Sequence, residues 1–130
     1  MNKKVAFSEV SYAFHESEDV LIRTFYTSVT MSEMIASWEE IISKNMLNEE
    51  TKGVLSDFRQ CKIEMEVSDL IRFGRFMKTH EAFFSGIKVA EVIDSPQIAL
   101  PIIFKGRFNI AQLEVFSTKE KALDWICVKL

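Results

Sequence analysis

The sequence predicts an α/β domain: a mixed, mostly parallel sheet with helices packed on it and an antiparallel hairpin at its N-terminal side. Two observations lead there. Helix-start signals alternate with short apolar runs along most of the chain, and a pair of β-rich segments joined by a short polar cluster precedes them. At 130 residues the chain has the usual length of one domain, so residues 1–130 are read as a single unit around one core.

The hairpin comes first. Val5 to Phe14 is rich in β-type residues, and "ESED" separates it from "VLIRTFYT", Val20 to Thr27. Apolar alternation changes phase near Ser8 and Glu9, where Val5 and Phe7 give way to Val10, Tyr12 and Phe14, and this predicts a bulge or a bend there. In "TMSEMIASWEEIISKNM", Thr30 and Glu33 have capping-box spacing, and Met31, Met34, Ile35, Trp38, Ile41 and Ile42 recur at helical intervals. "KGVLSDF" then reads as a short buried strand ending near Asp57. A second helix is expected from Ser68 to Phe84, and "IKVAEVID" is another buried strand. Ser95-Pro96 has the form of an N-cap followed by proline at the first helical position, with Pro101 kinking or restarting that helix. "LEVF" is the last strand, and Ser117 to Glu120 opens the final helix as a second capping box.

Strand and helix alternating in this way predict parallel neighbours at Val54, Val89 and Val115. In such sheets ligands and functional loops gather at the carboxyl ends of the strands, which places Asp57, Arg59, Asp94 and Ser95 among the candidate binding residues.

Composition bounds the function. A net charge of −3, a pI of about 5.4 and no run of Lys or Arg argue against nucleic acid as a partner. No stretch of about 18 apolar residues suggests an integral membrane segment, and the N-terminus lacks the form of a signal peptide. Cys61 and Cys127 form no CxxC pair, and reduced thiols fit a cytoplasmic location. Cys61 has no neighbouring His to act as a base, so it reads as a plain thiol. His15 and His80 match no metal-ligand spacing, and glycines at 53, 74, 86 and 106 form no phosphate-cradling loop. Trp38 and Trp125 lie on apolar helical faces and read as core. No catalytic residue, metal or cofactor is expected.

The segments "TFYTSVTMSEM", "GVLSDFR", "IKVAEVID" and "EVFSTKEKALDWI", closing on Phe116, Ala122 and Trp125, resemble the SpoIIAA-like family of small STAS-related domains over nearly the whole chain. The resemblance implies a SpoIIAA/STAS-like mixed sheet and a regulatory or protein-interaction module rather than an enzyme. In STAS domains that act as phosphorylation switches, a strand ending in Asp leads to an Asp-Ser-Ser-Gly helix start that holds the modified serine. Here the helix start reads Val67-Ser68-Asp69-Leu70, so Ser68 alone carries over. An N-cap serine serves equally well at that position, in which case Ser68→Ala costs about 1 kcal/mol. Asp57 and Arg59 read either as anion-holding groups or as an ion pair closing the connection. The alternative to a protein-binding module is a small-molecule or lipid-binding domain, suggested by eleven Phe and by the apolar "IALPIIF". Self-association is expected through the second helix, where Phe76 and Phe83 sit at the margin of the apolar stripe and leave an exposed patch.

Overall fold

The computed structural model describes residues 9–15, 19–94 and 112–128. β1 (Glu9–His15) and β2 (Val20–Thr30) form the antiparallel hairpin. Next come α1 (Met31–Ser43), β3 (Gly53–Glu64), α2 (Asp69–Thr79), α3 (Glu81–Ser85), β4 (Lys88–Val92), β5 (Gln112–Phe116) and α4 (Lys119–Cys127). The strands lie in chain order, β1-β2-β3-β4-β5, and all pairs after the first are parallel. The fold class, the hairpin and the parallel setting of Val54, Val89 and Val115 are as the alternating pattern predicts.

Alternation along the strands gives the sheet two apolar faces. Leu21, Phe25, Val54, Phe58 and Val89 meet Met34, Trp38 and Ile41 of α1, and Leu70, Phe73, Met77 and Phe84 of α2 and α3. On the other side Val20, Leu55, Ala90 and Val92 meet Ala122 and Ile126 of α4. At Gly53 the chain passes so close to β4 that a Cβ would stand 2.4 Å from the Lys88 carbonyl oxygen, which is why this strand begins on glycine.

Thr30 is both the last residue of β2 and the cap of α1: its hydroxyl accepts from the Glu33 N–H while the Glu33 carboxylate accepts from the Thr30 N–H. The expected capping box is therefore present. The closing helix differs by one residue, since Thr118 rather than Ser117 accepts from a helix N–H, that of Lys121. The second helix also departs from expectation. It breaks at His80, which leaves the helical region (φ −110°, ψ 36°) and starts α3 with its own carbonyl. Helical periodicity runs through the break, because Met77 and Phe84 bury on the same core, and so the sequence pattern does not reveal it.

β3 is twelve residues long and does not end at Asp57. Its register against β2 shifts where Thr24 faces Asp57 and Tyr26 faces Gln60, so Phe58 and Arg59 together oppose Phe25 alone. This bulge exchanges the faces: Ser56 and Phe58 point toward α1 before it, and Cys61 does so after it. β4 ends opposite Asp57, whereas β2 and β3 stay paired to Thr30 and Glu64, with β1 alongside as far as Tyr26, so among the described residues the end of this part of the sheet is two-stranded. On the β2 side of this end, Thr27 has φ of 70°, an uncommon setting for a β-branched residue. The expected bulge or bend at Ser8 and Glu9 falls partly outside the described residues, and pairing of β1 with β2 is regular from Glu9 onward. The expected helix at Ser95-Pro96, with Pro101, also lies outside them, as does Gly106.

Candidate functional site

Two polar groups stand out, one at the carboxyl edge of the sheet and one inside it. At the edge, the bulge folds Arg59 back onto Asp57. Nε and Nη2 of Arg59 donate to the two carboxylate oxygens at 3.0 and 2.9 Å, and the Arg59 backbone N–H donates to Oδ1 at 3.1 Å. Burial pushes the Asp57 carboxyl up, but these donors and the charges of Arg59 and Lys119 outweigh it and hold the group below the usual carboxylate range. Asp94 is exposed just beyond β4, and its charge also reaches Arg59. Asp57, Arg59 and Asp94 thus do converge, with Lys119 of α4 joining them. Both Asp57 oxygens are taken by Arg59, so the pair locks the bulge, while Asp94 and part of the Arg59 side chain are exposed. Ser95 lies outside the described residues.

Ser68 does not act as the cap of α2. It has helical dihedrals (φ −62°, ψ −26°) and its side chain makes no capping bond; instead the Asp69 carboxylate reaches back to accept from the Glu66 N–H at 2.9 Å. The turn is closed by the neighbouring acid, so the serine is left exposed. Ser68→Ala is accordingly expected to change stability by less than about 0.5 kcal/mol, rather than the 1 kcal/mol of a cap, when urea unfolding of the two proteins is compared.

Phe76 and Phe83 are half-buried and belong to an aromatic cluster, not to an exposed patch. Phe83 meets the edges of Trp38 and Phe84 at centroid distances of 6.2 and 5.1 Å, and Phe76 packs on His80 at 4.6 Å and Phe84 at 6.0 Å. The break at His80 turns α3 so that both rings fold inward. The exposed apolar side chains here are Val67 and Ile71, one turn apart where α2 begins.

The second group was not apparent from the sequence. Tyr12, Arg23, Ser56 and Glu91 occupy one register row across β1 to β4, all toward α1, and the row ends on Val115 of β5. Arg23 is completely buried. Its Nε donates to Ser56 Oγ at 2.7 Å and its Nη1 to Ser37 Oγ at 2.9 Å, while the guanidinium lies 4.0 Å from the Trp38 ring centre and 4.9 Å from that of Phe25. Tyr12 continues the chain outward, bonded to Ser37 Oγ and donating to Glu40, which in turn holds exposed Lys44. Glu91 is 6% exposed. Burial pushes its carboxyl up to about 7 against the pull of the Arg23 charge, and burial lowers the Arg23 guanidinium to about 9 against the opposing influence of Glu91 and Tyr12. The available signal was Arg23 and Glu91 each interrupting an apolar strand, "VLIRTF" and "IKVAEVI".

Other chemistry is weak. Burial pushes the Cys61 thiol up to about 11, as for an inert thiol. A shallow cleft of about 340 Å³ opens at the opposite, amino edge of the sheet, where Lys52, Lys88 and Gln112 stand beside Ile87, Ile126 and Val128. Lys88 is already committed there, donating to the Trp125 carbonyl at 2.8 Å and lying over its half-buried ring. Among the described residues no three His, Cys, Asp or Glu side chains gather as metal ligands, and no helix is long and apolar enough to cross a membrane.

No family model and no curated protein matches the sequence. Solved structures do match in fold. An uncharacterized protein of the DUF3478 family with a SpoIIAA-like fold, from Shewanella loihica PV-4, superimposes with a TM-score of 0.63 at 14% identity, covering 97% of this chain and 100% of the other. The anti-sigma factor antagonist SpoIIAA in its unphosphorylated form superimposes with a TM-score of 0.51 at 10% identity, covering 91% and 97%. The chain has a SpoIIAA-like fold.

Proposed function

We propose that this chain is a single-domain, non-catalytic module of STAS type that acts by binding another protein in the cytoplasm. The observation that carries the reading is the SpoIIAA-like sheet and helix arrangement, which extends over nine-tenths or more of both chains and is shared with a protein described as an anti-sigma factor antagonist. The polar group at the carboxyl edge adds to it in the same sense. Asp57 spends its charge on Arg59 in holding the bulge, which suits a rigid recognition surface at this edge better than turnover. Contact is assigned to the carboxyl edge, where Arg59 and Asp94 are accessible beside α4.

Affinity purification of the tagged chain from its native cell, with mass spectrometry of what is retained, tests this. One protein partner should be recovered in near-stoichiometric amount and lost from an Asp94→Arg variant that remains folded. Recovery of no protein above background, or of a partner indifferent to Asp94→Arg, overturns the reading or its placement respectively.

A further inference from the structure

We infer that Arg23 and Glu91 form a two-position switch inside the sheet, in which ionisation of Glu91 draws the guanidinium away from Ser37 and Trp38 and so loosens α1. Three features of the row make this possible. Nη2 of Arg23 is buried and has no hydrogen-bond partner among the described residues, so one side of the fork is free for an acceptor. Glu91 lies two strands away in the same row and on the same face, with Ser56 between them. Two strand spacings put the Cα atoms roughly 10 Å apart, which the two side chains together can span.

The observed arrangement suits a neutral Glu91: the guanidinium is held by the two serines and stacked on Trp38, and no ion pair with Glu91 is made. A carboxylate at position 91 would be a buried charge, and Nη2 of Arg23 is the unpaired charged donor in its row. The raised titration of Glu91 places the change near neutrality. Among the described residues, the groups facing the pair are Tyr12 from β1, Ser56 from β3, and Ser37 with Glu40 behind Tyr12 from α1. β5 offers Val115, while α2 and α3 present Met77 and Phe84 to this layer, with His80 beyond the Phe76 ring. Ser37 and Trp38 both belong to α1, so movement of Arg23 removes a hydrogen bond and a cation–π contact that attach this helix to the sheet.

Trp38 reports the change directly. In a Trp125→Phe background, Trp38 emission followed from pH 5 to pH 8.5 should show a single transition near neutrality while far-ultraviolet circular dichroism stays constant. Glu91→Gln should abolish it, and Glu40→Gln and His80→Asn should leave it in place. Should Glu91→Gln not fold, Ser56→Ala serves instead, because it releases the β3 anchor of Arg23 and must move the midpoint to lower pH. A flat profile in the parent, a transition that survives Glu91→Gln or vanishes with His80→Asn, or a midpoint unmoved by Ser56→Ala overturns the switch.

Discussion

Replacing Arg23 with alanine is expected to destabilise the protein by about 3 to 5 kcal/mol, the range for truncating a large, fully buried side chain. Three losses act together. A side chain with no exposed surface leaves a cavity between α1 and the sheet. The cation–π contacts with Trp38 and Phe25 disappear, and Ser37 and Ser56 lose their donors in a region closed to water. Arg23→Met refills most of the volume without the hydrogen bonds, and it should recover about half of the loss. Chemical denaturation at pH 6 measures both. A cost below about 1 kcal/mol for Arg23→Ala would mean that the guanidinium does not help to hold α1.

Stability should also fall as the pH rises from about 4.5 to about 7, through Glu91. In the unfolded chain this carboxyl titrates at its ordinary value of 4.5, whereas in the folded chain burial pushes it up to about 7. Between those values the folded state binds the extra proton. The contribution of Glu91 is therefore fully present below pH 4.5, is lost as the pH rises through about 7, and is constant above. The wild type minus Glu91→Gln difference in unfolding free energy should drop by roughly 2 to 3 kcal/mol across this window. Subtracting the variant removes the titration of every other group. A difference that stays level from pH 5 to pH 8 would place the Glu91 charge in a better-solvated setting than its burial implies.

Much of the fold could be read from residues that act locally. Thr30 and Glu33 cap α1 through neighbours three positions apart, and the period of Met31, Met34, Trp38 and Ile41 marks the face it buries. The runs at Val54 and Val89, with helices between them, require parallel crossovers. These features depend on residues close in sequence, and so the sequence by itself determined the fold class, the hairpin and the helix α1.

Tertiary structure decided what depends on register and on neighbours distant in the chain. The bulge at Phe58 and Arg59 is a mismatch in length between two strands, visible only when β2 and β3 are laid together, and it turns an apparent strand end at Asp57 into a lock. Ser68 was a plausible cap by position, but Asp69 reaches the loop first. Phe76 and Phe83 looked marginal on one continuous helix; the break at His80 folds them onto Trp38 and Phe84. Arg23 and Glu91 are 68 residues apart in the sequence. Nothing local shows that two register steps bring them into one buried row, because burial and pairing are properties of the assembled sheet.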